Sequence, residues 1–224
     1  MIEAYSWSTP NGHKLHIMLE ETGLESKLIP VHIGKGHQFQ PHFLELSPNG
    51  KIPAIVDTDG PGGQPLALAE SGAILMYLAE KCDALIPRGK RELHAMRQWL
   101  FFQVAHIGPM FGQAHHFSNY APEKVPYAIE RYNREARRLT GVLDKRLSHS
   151  SYLAGDEYSI ADIATYPWLV SGAESLDLEE FPAVKRWKQA IADRPTVQRG
   201  MMWLKEHGKL EMDEEARGHL FGSD

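Results

Sequence analysis

Three consecutive residues near the start of the chain, Thr9, Pro10 and Asn11, combine two side-chain donors with a predicted helix start. The Thr9 hydroxyl and the Asn11 amide can each donate a hydrogen bond. A helix N-terminus adds unpaired N–H groups and roughly half a positive charge. Such a turn can stabilise an anion, including a thiolate. Because Thr and Asn are also ordinary residues at helix starts, the turn alone leaves a purely structural role open.

The chain has a single cysteine, Cys82, which lies far from this turn in sequence and lacks a CxxC partner. Its place at the end of an apolar helix face predicts a core residue. Any thiol held by Thr9 and Asn11 must therefore come from a ligand. Among neighbouring nucleophiles, Tyr5 lies within a predicted strand and is expected to pack, whereas Ser8 is the second choice.

Histidines occur at positions 106, 115 and 116, but their spacing matches no common zinc motif. Adjacent histidines point to different sides of a helix, so we expect no metal site. Ser159 and Asp162 have the spacing of a capping box ahead of an apolar run. Asp162 is therefore predicted to cap a helix, with no catalytic role.

Composition narrows the class of protein further. The chain has 224 residues, of which 42% are apolar and 24% charged, and a net charge of −5. This charge gives no basic excess to attract nucleic acid. No apolar run approaches the ~18 residues of a membrane span, and the first residues do not resemble a signal peptide. One cysteine allows no internal disulfide, which fits a reducing cytoplasm.

The first 85 residues mix short strands with helices. Thr9 suits an N-cap, Pro10 a first helical position and Gly23 a C-terminal stop, which predicts a helix over about 10–22. Pro30 predicts an edge position for the second strand. A further helix is predicted over about 71–82. The predicted strands are Ile2–Trp7, Leu28–Ile33, Ile55–Thr58 and Leu66–Ala69. This βαβ-ββα order is the thioredoxin-like arrangement, with a parallel first pair.

The rest of the chain has only helical patterns. Residues 83–90 are predicted to link a domain over 1–85 to an all-helical domain over 91–224, whose last residues, about 208–224, form a frayed polar tail. Gly108 and Pro109 should kink or split the first helix. The predicted helices are Arg91–Phe117, Pro126–Leu147, one that starts at Ser159, Pro182–Asp193 and Thr196–His207.

Several motifs in this order resemble the cytosolic glutathione transferase family over nearly the whole chain. They are SPNGKIPAI at 47–55, AESGAILMYLAEK at 69–81 and SIADIA at 159–164. The TPNGHK turn at 9–14, GKGHQF at 34–39 and PYAIERY at 126–132 are similar to the bacterial nu class, which reduces disulfides with glutathione. The resemblance implies a homodimer that uses glutathione and needs no metal.

The resemblance also implies roles for individual residues. Thr9 and Asn11 lie where thioredoxins carry the two cysteines of their CPxC turn, and here they would act on the glutathione sulfur. The bond before Pro53 would be cis, and the Ile52 backbone would pair with the cysteinyl backbone of glutathione like an added strand. At Pro53 an ordinary proline at a strand entry is the alternative.

The two ends of glutathione are assigned in the same way. Glu70 would bind the γ-glutamyl ammonium and Ser71 its carboxylate, while Ser71 also N-caps a helix. Gln38 and Lys51 would bind the glycyl carboxylate, although Lys51 is equally well explained as a solvated charge. Arg131 matches a nu-class arginine that faces the site, and its arginine-rich surroundings leave a solvated or dimer-interface face open.

The resemblance implies a glutathione-dependent disulfide-bond oxidoreductase. A bound glutathione thiolate would attack a disulfide, and a second glutathione would resolve the mixed disulfide. One alternative is a conjugating transferase that acts on small electrophiles. Another is a binding or regulatory module without catalysis.

Overall fold

The computed structural model describes residues 1–171, 176–205 and 212–222. The chain forms two compact units. The first combines Met1–Leu78 with Thr196–Asp224, and the second is Ala79–Pro195. This division differs from the predicted domains 1–85 and 91–224 in two ways. The first boundary lies after Leu78, and residues 196–224 group with the N-terminal residues.

The first unit is built around a four-stranded sheet. Its strands are β1 (Ile2–Ser6), β2 (Ser26–Pro30), β3 (Ala54–Asp57) and β4 (Leu66–Ala69), in the order β2-β1-β3-β4. β1 pairs with β2 in parallel, and the β1–β3 and β3–β4 pairs are antiparallel. The structure confirms the predicted topology and the edge position of Pro30, which lacks the N–H that an inner strand needs.

The described residues also form ten α-helices. They are α1 (Pro10–Thr22), α2 (Pro41–Leu46), α3 (Ser71–Cys82), α4 (Lys90–Phe102), α5 (Gly108–His115), α6 (Pro126–Leu147), α7 (Ile160–Ser171), α8 (Pro182–Ala192), α9 (Pro195–Met202) and α10 (Glu214–Phe221). The predicted order of elements is therefore confirmed through α9, whereas α10 was not predicted.

Local sequence explains the bounds of α1. Thr9 is extended, with φ −136° and ψ 163°, and its side chain accepts a hydrogen bond from the Gly12 N–H. Pro10 follows at the first helical position, where a missing N–H costs nothing. Gly23 ends the helix at φ 64°, in the left-handed region that favours glycine. All three predictions for this helix are confirmed.

The predicted interruption near Gly108 and Pro109 takes the form of a π-helical turn at Gln103–Ile107. Pro109 is then the second residue of α5, directly after the π turn, and it has no N–H to donate to the preceding turn. A second π turn, at His116–Tyr120, follows α5. The helical path of this segment thus continues through local rewinding.

The start of α7 organises the core of the second unit. Asp162 is fully buried, and its carboxylate accepts hydrogen bonds from the Ser159 N–H at 3.0 Å and the Leu153 N–H at 2.9 Å. The Trp187 indole N–H of α8 donates to the same carboxylate at 2.8 Å. The structure bears out one half of the predicted capping box, because the Ser159 hydroxyl donates to the Asp162 carboxylate at 3.1 Å, and it adds a tertiary contact.

The predicted frayed tail is wrong for residues 214–221, which form α10. Ala216 of this helix is buried. A β-carbon on Gly36 would lie only 2.8 Å from the His219 ring, so α10 packs closely against that loop. Packing against a distant segment stabilises α10, and such packing is invisible in a local polar pattern. Residues 206–207 of the predicted helix Thr196–His207, and residues 208–211 and 223–224 of the predicted tail, lie outside the described residues.

Within the described parts of the chain, no helix is long and apolar enough to cross a bilayer.

Candidate active site

The turn Thr9–Asn11, which is predicted to hold a thiol, lies at the N-terminus of α1. The Thr9 Oγ1 atom accepts the Gly12 N–H at 3.1 Å, which leaves the hydroxyl hydrogen able to donate to another group. Asn11 is half-buried in the first turn of the helix. A β-carbon on Gly12 would lie 2.0 Å from the Trp7 carbonyl oxygen. Glycine at position 12 therefore lets α1 begin this close to the end of β1.

The other nucleophile candidates lie in different environments. The Ser8 hydroxyl is 3.4 Å from the His13 Nε2 atom. The Tyr5 hydroxyl donates to Glu3, and burial together with the Glu3 charge raises the Tyr5 pKa, which disfavours a tyrosinate. The Tyr5 ring packs against Phe43, as predicted for a core side chain. Cys82 is half-buried, so the prediction of a core cysteine is only partly correct.

A cis bond joins Ile52 and Pro53, as predicted. Pro53 is buried directly before β3, and Ile52 is half-buried. The preceding turn is fixed by the Ser47 hydroxyl, which donates to the Lys51 carbonyl at 2.8 Å. The Lys51 side chain is exposed, so its position is compatible with either of its two predicted roles.

Glu70 and Ser71 lie at the start of α3. Glu70 has φ 69°, a left-handed conformation that is unusual for a residue with a side chain and is often found at ligand-binding sites. Its carbonyl accepts the Ile74 N–H at 2.9 Å. Glu70 thus occupies the N-cap position, and the prediction that Ser71 caps this helix is wrong, because Ser71 is already its first residue.

Lys14 is a site residue that the sequence reasoning missed. It is only 2% exposed, yet its Nζ donates to the Ser71 Oγ at 3.2 Å, which connects α1 to the start of α3. Burial lowers the Lys14 pKa to about 7, against an opposing effect of the Glu70 charge. The available signal was a lysine one helical turn beyond Asn11, next to the apolar face of α1.

Gln38 lies in the 3-10 turn His37–Phe39 and is 3% exposed. Among the described residues, its buried Oε1 atom has no hydrogen-bond partner. Buried polar atoms are normally satisfied, so an unpaired one suggests that a ligand completes the site. Because the amide carries both an acceptor and two donors, it suits the polar end of a peptide.

Arg131 lies on α6 in the second unit and is exposed. Three neighbouring arginines form ion pairs: Arg134 with Glu130, Arg137 with Glu180 and Arg138 with Glu135. The bond from Arg138 lowers the Glu135 pKa, and the Arg131 charge adds to this effect. A role for Arg131 in binding glutathione stays a prediction.

Histidines 106, 115 and 116 lie in or beside the π turns. His115 Nδ1 is 3.1 Å from the Asn119 amide nitrogen. Within the described ranges, no group of three or more His, Cys, Asp or Glu residues is placed to hold a metal ion.

Two buried histidines of α1, His13 and His16, follow the turn closely in the chain and were not identified from the sequence. His16 Nε2 lies 2.9 Å from the Ser6 Oγ, and the His13 and His16 rings meet edge to face at 5.4 Å. Burial lowers their pKa values to about 4 and about 3, so both rings are neutral at pH 7. A Trp203 ring stacks on His16 at 5.2 Å.

These features define a class of protein. A thioredoxin-like sheet carries a cis proline before β3 and a helix N-terminus with donors but no cysteine. A start of α3 with a serine and an acidic residue completes the set. This is the arrangement of a thioredoxin-like domain that has no cysteine in the turn before its first helix.

Comparison with known proteins agrees with this class. The glutathione S-transferase N-terminal domain matches residues 9–81, and the C-terminal domain of the same family matches residues 106–195. The disulfide-bond oxidoreductase YfcG of Escherichia coli is 52% identical over 204 residues, which cover 90% of this chain and 95% of YfcG. YghU of the same organism is 41% identical, over 93% of this chain and 77% of YghU.

Two solved structures are also similar. A glutathione transferase from Burkholderia graminis, with two glutathione molecules bound per subunit, is 44% identical with a TM-score of 0.88, over 91% of this chain and 88% of that one. A transferase from Pseudomonas putida, with one glutathione disulfide per subunit, is 43% identical with a TM-score of 0.86, over 90% of this chain and 91% of that one. The chain belongs to the glutathione S-transferase family.

Proposed function

We propose that this protein is a glutathione-dependent disulfide-bond oxidoreductase. The observation that carries the proposal is the cysteine-free turn at the N-terminus of α1, where Thr9 caps the helix and keeps a hydroxyl hydrogen to donate. The similarity to YfcG and YghU, both named disulfide-bond oxidoreductases, supports the same reaction.

In the proposed reaction, the glutathione thiol first loses its proton. The helix N-terminus, the Thr9 hydroxyl and the Asn11 amide favour the thiolate, whose reference pKa of about 8.5 is too high for full ionisation at neutral pH. The thiolate attacks one sulfur of the substrate disulfide. A new S–S bond forms, the substrate S–S bond breaks, and the first substrate thiolate leaves and takes up a proton.

A second glutathione completes the cycle. Its thiolate attacks the glutathione sulfur of the mixed disulfide, which releases the second substrate thiol and forms glutathione disulfide. Two glutathione molecules are thus oxidised for each disulfide reduced. The two glutathiones per subunit in the Burkholderia graminis protein, and the glutathione disulfide in that from Pseudomonas putida, match the two ends of this cycle.

The binding roles are proposed from the family resemblance, and the positions of several of these residues support them. The Ile52 backbone, directly before cis Pro53, is proposed to pair with the cysteinyl backbone. Glu70 and Ser71, at the start of α3, are proposed to bind the γ-glutamyl end. Gln38 and Lys51 are assigned to the glycyl carboxylate. Arg131 is proposed as a further glutathione-binding residue, on the resemblance alone.

The test is reduction of hydroxyethyl disulfide by glutathione, followed through glutathione reductase and NADPH. We expect turnover that saturates with glutathione and far exceeds conjugation of a chloro-nitrobenzene substrate. Faster conjugation than disulfide reduction would favour the conjugating transferase. Binding of glutathione without either reaction would favour the non-catalytic module.

We also propose that the protein is a cytoplasmic homodimer, as its family resemblance implies. Sedimentation equilibrium of the purified protein should give twice the chain mass of 25.3 kDa. A monomer across the micromolar range would contradict the dimer. Cell fractionation would test the compartment separately.

A further inference from the structure

Lys14 is the one buried lysine in the first unit's described core, and its contact joins two parts of the proposed site. Its Nζ donates to the Ser71 Oγ at 3.2 Å, while Asn11 lies one helical turn earlier on α1. Glu70, directly before Ser71, acts on Lys14 through its charge. The lysine thus lies beneath the start of α3, where the γ-glutamyl carboxylate is proposed to bind.

A buried lysine is costly for folding. Taking an ammonium out of water costs several kcal/mol, and an apolar side chain of similar volume is often at least as stable. Methionine would fill the same space on α1 without this desolvation cost. A lysine that is 2% exposed therefore points to a requirement other than packing.

The hydrogen bond to Ser71 indicates what that requirement is. A serine hydroxyl has one hydrogen to donate and accepts through its oxygen. When Lys14 donates to the Ser71 Oγ, the hydroxyl hydrogen is directed to another acceptor. An anion that accepts this hydrogen would also gain from the positive charge behind it.

We infer that Lys14 is a positioning residue for glutathione: it orients the Ser71 hydroxyl and supplies positive charge behind the γ-glutamyl carboxylate. This inference rests on the proposed function, because it assigns that carboxylate to Ser71. It adds a buried residue, acting through Ser71, to the residues that touch the ligand.

A pH dependence follows, because burial places the Lys14 pKa at about 7 in the free protein. Glu70, directly before α3, acts on Lys14 through its charge, while His13 and His16 on α1 remain neutral above pH 6. A bound carboxylate favours the charged amine and raises its pKa. Binding should therefore weaken as the pH rises through 7, by about fivefold between pH 6.0 and 8.0 if the pKa rises by about one unit.

The test is titration calorimetry with S-methylglutathione, which has no ionisable thiol and cannot react. In the full chain, Lys14→Met should weaken binding about tenfold at pH 6.0 and abolish the pH dependence. Lys27→Met removes an exposed lysine of β2 and should change neither quantity. In the disulfide assay, Lys14→Met should raise KM for glutathione while kcat changes less than about twofold.

A double-mutant cycle separates this role from simple packing. If Lys14 acts through Ser71, the losses of Lys14→Met and Ser71→Ala should not add in the double variant. Lys14→Gln, which keeps a donor without the charge, should bind with intermediate affinity and no pH dependence. It also serves if the methionine variant does not fold.

Three results would overturn the inference: full affinity in Lys14→Met at pH 6.0, an unchanged pH dependence in Lys14→Gln, or additive losses in the cycle. These results are independent of the proposed reaction, because the probe only binds. Tight binding of S-methylglutathione without disulfide reduction would instead contradict the proposed function and leave the Lys14 contact supported by its own data.

Discussion

Thr9 has two separable roles at the start of α1, as the N-cap of the helix and as a proposed donor to sulfur. Thr9→Ala should lose both, with about 1 kcal/mol of stability lost with the cap and turnover reduced about tenfold to a hundredfold. Thr9→Ser keeps both groups and should resemble the native protein. The measurements are urea denaturation and kcat for disulfide reduction.

Thr9→Asp provides the matched control for these roles. A carboxylate is a good N-cap, so the helix should keep its stability. Deprotonated, it has no hydrogen to donate and repels a thiolate, so activity should fall at least as far as in Thr9→Ala. Retained activity in Thr9→Asp would show that the hydroxyl does not act on sulfur.

Asn11 and Ser71 are expected to affect different kinetic constants. Asn11→Ala should lower kcat about tenfold with little change in glutathione affinity, because the amide acts on the sulfur. Ser71→Ala should mainly raise KM for glutathione, because it removes a donor to the carboxylate. Steady-state kinetics at saturating disulfide measure both, and equal losses in kcat and affinity for the two variants would undo this assignment.

At the scale of elements, α1 carries two histidines whose folded pKa values, about 4 and about 3, lie below the unfolded value. Below pH 6.5 the unfolded chain binds more protons, so stability falls as the pH decreases toward the folded values. Each imidazole should cost up to about 1.4 kcal/mol per pH unit in this window. Urea denaturation at pH 7, 6 and 5 measures the slope.

His16→Gln provides the control for this pH dependence. It removes one of the two titrating rings and should reduce the slope of stability against pH by about half. An unchanged slope would assign the acid sensitivity to other groups.

The hydrogen bonds of Asp162 at the start of α7 lead to a second prediction at this scale. Asp162→Asn replaces one acceptor oxygen by an N–H₂ group among donors from Leu153, Ser159 and Trp187. We expect a loss of about 2–4 kcal/mol of unfolding free energy, because buried donors are left unpaired. Ser159→Ala removes only the side-chain hydroxyl contact and should cost about 1 kcal/mol. Equal losses in the two variants would contradict this network.

At the scale of the whole molecule, the first unit is assembled from both ends of the chain. A β-carbon on Gly200 of α9 would lie 2.8 Å from the Ile17 backbone, and Trp203 donates to Glu20 at 2.8 Å. Val197 and Leu204 are each only 1% exposed. The C-terminal segment therefore covers α1, the helix that begins at the turn Thr9–Asn11.

A chain that ends at Pro195 should consequently lose stability and glutathione binding together. Burial of Val197 and Leu204 alone contributes about 3–6 kcal/mol, a large part of a typical folding free energy. Thermal unfolding and calorimetry with S-methylglutathione measure the two losses. A chain that ends at residue 211, which lacks only α10, should lose less, and equal losses would contradict the role of α9.

Much of the fold was predictable because its signals are local. Thr9, Pro10 and Gly23 fix the bounds of α1 through backbone chemistry that depends only on neighbouring residues. Pro30 indicates an edge strand because it has no N–H for a second partner. The cis bond before Pro53 followed from the family resemblance, since base rates alone would predict trans.

The sequence by itself therefore determined the order of elements up to α9, the cysteine-free turn and the family. Only the tertiary structure decided that Lys14 reaches Ser71, that His16 meets Ser6 and Trp203, and that residues 214–221 form a helix beside Gly36. Each of these depends on contacts between distant segments, whose packing sets burial and therefore pKa. A local pattern contains no information on which charged side chain a distant segment will cover.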